Sequence, residues 1–478
     1  VYGDCVNAYQ QSPPPTVACS LEIDDAIDDW YQYRFGVKLD RKRYVIPLHK
    51  ALQGHPEAGV LWERMITNVL INKMGFRNTA HERNLYMGQF NGEMVIACRQ
   101  VDDFAAGAKS EQIGKAFLEE VGRHVDTEIH GVGIETERGR YQLFNGFDVH
   151  QTQDYIKLSC ESYIDRVLQT HGWSKPQPDQ SDQLLNTSGM RMLRKDSATP
   201  IPLQPKIAER LAKLDGPTEK TPEAKELSRK NGFSFRNLLG ELIYAYVVCR
   251  MDIGFAICFL ARFAAAPHPE HYIALKEVCK YLRATKDWGI LYQRPQPMTF
   301  FADVPFDYVP EEPGLPEFPF VRRDELGALS DAAHATDPRG RFSVTGIMIM
   351  FANAVVAYKS RKQTVVATSS TEAEFYAAVH CAKLVKYFRT ILFELGALRP
   401  GPTRIHIDNE ATIHMIMENR PTPRARHIDI QHFAIQEWRA LAQVSVNHIP
   451  GVINSSDGLT KPLTWTLHSR HNRRGMGH

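Results

Sequence analysis

The sequence predicts a mixed α/β and α+β chain: an N-terminal region of interleaved strands and helices, a helical connector and a C-terminal α/β domain. Three observations predict it. Two short apolar runs, Met94–Val101 and Phe104–Ala108, flank Asp102-Asp103 and read as a β-hairpin with two acids at its tip. Residues 235–286 carry apolar side chains at i, i+3, i+4 and i+7, the helical repeat. From residue 327 onward, runs of strand length alternate with helical ones. Polar, proline-bearing stretches at 174–232 and 305–319 separate these regions, and 478 residues suit about three domains.

Taken in order, Val60–Met74 predicts a helix through Leu61, Met65 and Val69, stopped by Gly75. Residues 141–149 and 154–159 read as a second strand pair. Residues 174–232 read as a connector with one short helix, Pro205–Leu214. Ile253, Ala256, Ile257 and Leu260 mark one helix and Tyr272, Leu275, Cys279 and Leu282 another, separated by Pro267 and Pro269. The last region opens with strands Gly327–Leu329, Val344–Phe351 and Ala354–Tyr358, then a long helix Thr371–Leu395 ended by Gly396. A strand Arg404–Ile407, helices Ala411–Glu418 and Asp429–Ala442, and a strand Val444–Ile449 complete it.

Composition is that of a globular protein, 43% hydrophobic and 23% charged. The net charge of +2 neither supports nor excludes a polyanionic partner, because that requirement is local. The eight cysteines (Cys5, Cys19, Cys98, Cys160, Cys249, Cys258, Cys279, Cys381) form no CxxC pair, which predicts reduced, buried thiols and no zinc. The N-terminal residues lack a basic segment followed by an apolar core, so no signal peptide is expected. The longest apolar zone, Leu238–Phe263, is broken by Glu241, Arg250, Asp252 and Arg262, whereas a membrane span needs about 20 nearly uninterrupted apolar residues. A soluble protein with no membrane partner is the expectation.

Four acids fall at element boundaries of the last domain: Asp331, Glu374, Asp408 and Asp457. Strand ends and a helix start can converge in an α/β layer, and such a cluster would hold two Mg²⁺ ions roughly 4 Å apart for phosphodiester hydrolysis. Each acid alone reads equally well as a surface or capping residue, and Glu374 as a first-turn charge. Asp102-Asp103 read alone suit a solvated turn, although two carboxylates 4 Å apart repel by roughly 4 kcal/mol at an effective dielectric of 20.

Family resemblance sharpens both readings. The segments SDAAHATD, VATSSTEAEFYAAVHCAKLVKYFRTIL, IHIDNEATI, RHIDIQHFAIQEW and HIPGVINSSDGLTKPL, in that order over about residues 326–466, resemble the ribonuclease H region of copia-type LTR retrotransposon Pol polyproteins. Gly3-Asp4-Cys5-Val6-Asn7-Ala8-Tyr9, the Leu48–Pro56 segment and Cys98–Phe104 resemble three successive palm motifs of the reverse transcriptases of the same elements. The resemblance implies a reverse-transcriptase palm at 1–170, a connector and helical thumb or connection region at 171–300, and a proline-rich linker at 301–320. A ribonuclease H-like α/β domain at 321–466 and a basic tail at 467–478 follow. Only three residues precede Asp4, so a truncated palm without fingers that polymerises poorly on its own is expected.

The resemblance further implies metal-binding, catalytic acids at Asp331, Glu374, Asp408 and Asp457, with Glu372 the nearby alternative to Glu374, and at Asp4, Asp102 and Asp103 in the palm. Each site would take two Mg²⁺ ions, with Mn²⁺ as a substitute. Gly54 would lie under the incoming base pair, and Gln100, where Tyr is common, beside the primer end. Arg424 and Arg426 would grip the phosphates of the hybrid. Other basic runs lie at Arg191, Arg194 and Lys195, and at Arg470, Arg473 and Arg474. His427 and His432, flanking Asp429, read as capping and surface residues. Implied partners are RNA template, DNA primer, RNA–DNA hybrid, deoxynucleoside triphosphates and polyprotein products such as integrase, in cytoplasmic virus-like particles and the nucleus. Departures are Glu410 in place of Gln, Ala332-Ala333-His334 in the first motif, and no His between Pro450 and Asp457. The rivals are a decayed, inactive copy that at most binds nucleic acid, and an integrase-like carboxylate nuclease, against which the LTKPL segment and the hairpin argue.

Overall fold

The computed structural model describes residues 1–137, 139–174, 201–294, 314–320, 323–337, 340–418 and 429–478. Arg191, Arg194, Lys195, Arg420, Arg424, Arg426 and His427 lie outside them, and the His432 side chain is not described. The chain divides into two compact units, Val1–Glu135 and Thr136–His478.

In the first unit an antiparallel sheet runs in the order Arg77–Asn78, Leu85–Phe90, Glu93–Gln100, Asp103–Ala108, Tyr2–Cys5, Thr127–Gly131. The expected helix at 60–74 forms as Ala58–Thr67 and runs on as a π-helical turn, Asn68–Lys73, with Gly75 at φ +73° beyond it. A second helix, Glu111–Gly122, starts where the Ser110 hydroxyl accepts from the Ile113 N–H at 3.3 Å. Trp62, Ile66, Leu70, Phe76, Phe104 and Phe117 are buried between helices and sheet. A buried Phe contributes about 1.5–3 kcal/mol.

The hairpin forms, but its two-residue turn is Val101-Asp102, one residue earlier than expected, so that Asp103 begins the second strand opposite Gln100. Val101 sits at φ +57°, an unusual conformation for a β-branched residue. Hydrogen bonds hold it there. The Val101 carbonyl accepts from Trp62 Nε1 and from Arg99 Nη1, both at 2.7 Å, and the Asp102 carbonyl accepts from the Cys5 N–H at 3.0 Å.

The second unit opens with antiparallel strands ordered Gly289–Gln293, Tyr155–Ser159, Phe147–Gln151, Gly139–Phe144. The stretch 141–149, expected as one strand, is instead a hairpin: Asn145 (φ 45°) and Gly146 (φ 82°) supply the two left-handed residues of a tight turn. Helices Phe235–Val248, Gly254–Ala261 and Pro269–Ala284 follow. Arg250 and Asp252, which break the apolar zone, form a buried two-point ion pair at 2.9 and 2.6 Å, and the Tyr281 hydroxyl donates to Asp252 at 2.7 Å. The connector holds two helices, not one. Pro205–Leu211 is joined by Pro222–Asn231, whose Thr221 cap and Gly232 stop were readable but masked by its polar composition.

The last sheet is ordered Ala354–Lys362, Val344–Phe351, Gly327–Ala333, Thr403–Ile407, Val444–His448. Its first three strands are antiparallel and its last two join in parallel. The long helix Ser370–Glu394 covers one face, placing Phe375, Ala378, Val379 and Ala382 against Ala328, Ile347, Ile349, Ile405 and Ile407. The opposite face is also buried. Leu329, Met348, Met350 and Val355 share a core with Tyr246, Met251 and Ile257 of the helical region.

Two expectations need correction. Residues 467–478 are no free basic tail: Trp465–Gly475 is a helix in which His468, Ser469, Arg470, His471 and Asn472 are buried, and Met476 joins the core. The thiols are free, but Cys98 is exposed and Cys19 and Cys258 are half-buried, because Cys98 sits on the open face of its strand. No helix among the described residues is long and apolar enough to cross a membrane.

Candidate metal centre

Asp331 lies near the end of the central strand, Asp408 directly follows the neighbouring parallel strand, and Glu374 sits in the second turn of the long helix packed on both. The helix is started by the Ser369 hydroxyl, which accepts from the Glu372 N–H at 3.2 Å. Glu372 returns the bond: its carboxylate accepts from the Thr368 N–H and hydroxyl at 2.7 and 2.6 Å. Glu372 is therefore a cap, and Glu374 is the acid turned to the sheet. Carboxylate oxygens of Asp331, Glu374 and Asp408 all lie within 4.8 Å of one another. Asp331 and Glu374 are buried, whereas Asp408 is half-buried and opens the cluster to solvent.

Asp457 arrives on a 3₁₀ turn, Ser455–Leu459, that rests on the sheet. Gly346, opposite Asp331 in the register, permits this: a Cβ there would lie 2.6 Å from the Ser456 carbonyl. Asp457 lies outside the 4.8 Å group, near enough for the charge of Asp331 to act on it. The Thr460 hydroxyl donates to Asp331, and Asn454 Nδ2 donates to the Ser330 carbonyl at 3.1 Å while its Oδ1 accepts from the Ser456 hydroxyl at 2.6 Å.

Crowding carboxylates in a buried site disfavours their charged forms. Burial, then the charges of Asp331 and Asp408, push Glu374 up to about 10. Burial and Asp331 push Asp457 up to about 8, and the same two causes raise Asp408. One cation already faces them. Lys461 Nζ lies 2.9 Å from Asp457 Oδ2, and the charges of Asp331, Asp457 and Asp408 all hold its proton more tightly. Sequence reasoning missed Lys461, Thr460 and Asn454, although Lys461 stands four residues after Asp457, a spacing at which side chains meet on a helical turn.

The residues fit a hard divalent cation. All donors are carboxylate oxygens, and Glu374 Oε2 and Asp457 Oδ1 are buried with no hydrogen-bond partner. A buried, unpartnered carboxylate oxygen is unfavourable unless a cation or a proton meets it.

A family described as reverse transcriptase (RNA-dependent DNA polymerase) matches residues 26–180. The Pol polyprotein of transposon RE1 of Arabidopsis thaliana is 25% identical over 428 residues, 89% of this chain and 24% of the relative. That of transposon TNT 1-94 of Nicotiana tabacum is 24% identical over 424 residues, 88% of this chain and 27% of the relative. The chain is a relative of copia-type retrotransposon Pol polyproteins. It spans about a quarter of the length of these relatives.

Among solved structures, LC11-RNase H1 from compost is 17% identical with a TM-score of 0.23, covering 29% of this chain and 93% of that one. The foamy viral protease-reverse transcriptase in complex with RNA/DNA hybrid is 12% identical with a TM-score of 0.37, covering 94% of this chain and 44% of that one. The order and directions of the last sheet, with the long helix between its third and fourth strands, give the ribonuclease H-like layer that the motifs implied.

The reverse transcriptase match contains Gly54, Gln100, Asp102 and Asp103 and begins after Asp4. Asp4 lies directly opposite Asp103 across paired strands, and Asp102 is at the adjoining turn. Burial, then Asp102, raises Asp4. All three are half-buried, and among the described residues they do not form a group like that of Asp331. Gly54 is an exposed turn residue at φ +93°, and Gln100 is exposed at the end of its strand.

Proposed function

We propose that this Pol-related chain copies RNA into DNA in its first unit and cleaves the RNA strand of RNA–DNA hybrids in its second. The observation that carries the reading is the convergence of Asp331, Glu374 and Asp408 within 4.8 Å, with Asp457 near enough to feel the charge of Asp331. These four acids would hold Mg²⁺ ions, which would supply water activation and charge stabilisation at the leaving oxygen. The chain's own part is positional. Thr460 orients Asp331, Asn454 ties the turn that carries Asp457 to the central strand, and Lys461 limits the repulsion among the acids.

In the palm, Asp4, Asp102 and Asp103 form the second metal site, the anchored Val101 turn fixes the two acids, and Gln100 and Gly54 face primer end and incoming base pair. Arg424 and Arg426 contact hybrid phosphates. RNA template, DNA primer and deoxynucleoside triphosphates are the substrates, with Mn²⁺ able to replace Mg²⁺. Domain limits at about 170, 300, 320 and 466, an association with integrase, and action in virus-like particles complete the reading. The test is cleavage of a labelled RNA–DNA hybrid in Mg²⁺ by the full chain and by Asp408→Asn. Cleavage by the first alone supports the reading, whereas equal rates, or none by either, remove the nuclease and leave the inactive copy.

A further inference from the structure

Charge is distributed unevenly along the second unit. Between residues 338 and 393 stand Arg339, Arg341, Lys359, Arg361, Lys362, Lys383, Lys386 and Arg389 against two acids, Glu372 and Glu374. Glu372 is used as a cap and Glu374 belongs to the carboxylate cluster. Three of the cations are occupied: Lys362 pairs with Asp337 at 3.1 Å, Lys386 lies over the Trp438 ring at 4.4 Å, and Arg389 donates to Gly401 and Thr403.

Lys359, Arg361 and Lys383 are exposed, and no ion pair to them exists among the described residues. They come together. Lys359 and Arg361 alternate on one face of the edge strand, the face on which Ala357 packs into the core shared with the long helix. Lys383 stands one turn from His380 on that helix. All three positive charges act on half-buried His380, whose proton is held less tightly because of burial first and then Lys383, Arg361 and Lys359. Lysines on an edge strand also discourage edge-to-edge pairing. That accounts for Lys359 but not for Lys383 on a helix.

The register locates the patch. Arg361 is opposite Thr345, which is opposite Ala332, the neighbour of Asp331. Two inter-strand spacings put Arg361 roughly 10 Å from the row of Asp331. A nucleic acid cut at the carboxylate cluster carries further phosphates at that distance.

We propose that Lys359, Arg361 and Lys383 form a phosphate-backbone contact surface that holds an RNA–DNA hybrid beside the carboxylate cluster. The proposal rests on the nuclease reading for the identity of the polyanion. Phosphate contacts release condensed counterions, so each steepens the salt dependence of binding by about 0.9 in log–log slope.

The experiment titrates a fluorescent RNA–DNA hybrid with full chain in chelator, so that nothing is cut, over a range of salt. The K359Q/R361Q/K383Q variant is expected to bind at least about tenfold more weakly, with a slope lower by about 2–3. The charge-keeping K359R/R361K/K383R variant should bind like the parent. An unchanged slope overturns the proposal, as does an equal loss in the charge-keeping variant. Competition by polyglutamate as strong as by hybrid overturns the nucleic-acid assignment. If the parent binds with the steep slope but leaves the hybrid uncut in Mg²⁺, the nuclease reading falls and the contact surface stands.

Discussion

Two groups of acids can be set side by side. In the second unit, Asp331, Glu374 and Asp408 are brought within 4.8 Å from two strands and a helix, mostly out of water. In the first, Asp4, Asp102 and Asp103 lie on paired strands and their turn, half-buried. The first arrangement is closed by the fold itself, through Thr460, Asn454 and Lys461. The second is fixed in its backbone, by the bonds to the Val101 and Asp102 carbonyls. Convergence under burial stores repulsion that a cation relieves, whereas acids on a solvated hairpin store little.

The largest effect that would separate the two is at Asp331, which faces every other acid of the buried group. Asp331→Asn is expected to slow hybrid cleavage about a thousandfold or more, roughly 4 kcal/mol, while raising the melting temperature of the metal-free chain. A lower melting temperature would break the comparison.

Next comes pH. Glu374 at about 10 and Asp457 at about 8 stand above their unfolded values of 4.5 and 3.8. Their contribution to stability is therefore complete below about pH 4 and is lost as pH rises through about 8 and then about 10. Each tenfold change in proton affinity is worth about 1.4 kcal/mol. Metal-free thermal unfolding should therefore weaken by a few kcal/mol from about pH 5 to about pH 9, and Mg²⁺ should flatten the profile. A flat metal-free profile would contradict the assignment.

Smaller is the effect of Lys461→Met. The ammonium is 45% exposed, so solvent screens it, and its removal should tighten Mn²⁺ binding by up to about tenfold in a spectroscopic titration. Weaker binding would make Lys461 a support of the site and not a competitor. Smallest of all, Asp102→Asn should leave thermal stability within about 0.5 kcal/mol, as expected for a solvated turn. A large stabilisation there would mean that the hairpin acids repel as strongly as the buried ones.

Much of this was legible in sequence where one local rule dominates. The hairpin, the strand Val344–Phe351 and the long helix followed from period and stop signals within a residue or two. The split at Asn145-Gly146 was missed because apolar residues on both sides suggested continuity, although Asn-Gly is a strong turn signal. The helix Pro222–Asn231 was hidden by having no buried residue. The last helix was hidden because its buried side chains are His, Ser, Arg and Asn, which leave no apolar periodicity, and the partner of His468, Tyr281, lies far away in the chain. Lys461 is the same kind of case. Its meaning depends on Asp331, remote in sequence, and no periodicity encodes that meeting.

The doubly covered ribonuclease H-like sheet has a consequence for how such a polypeptide can be divided. Leu329, Met348, Met350 and Val355 have no aqueous side to return to. A protease that cut ahead of Gly327 would nick the backbone but release no independent nuclease, since the fragment would keep its helical neighbours bound or precipitate. Cleavage at the limits proposed near 300 and 320 would therefore cut through one shared core, and the pieces on either side would be inactivated together.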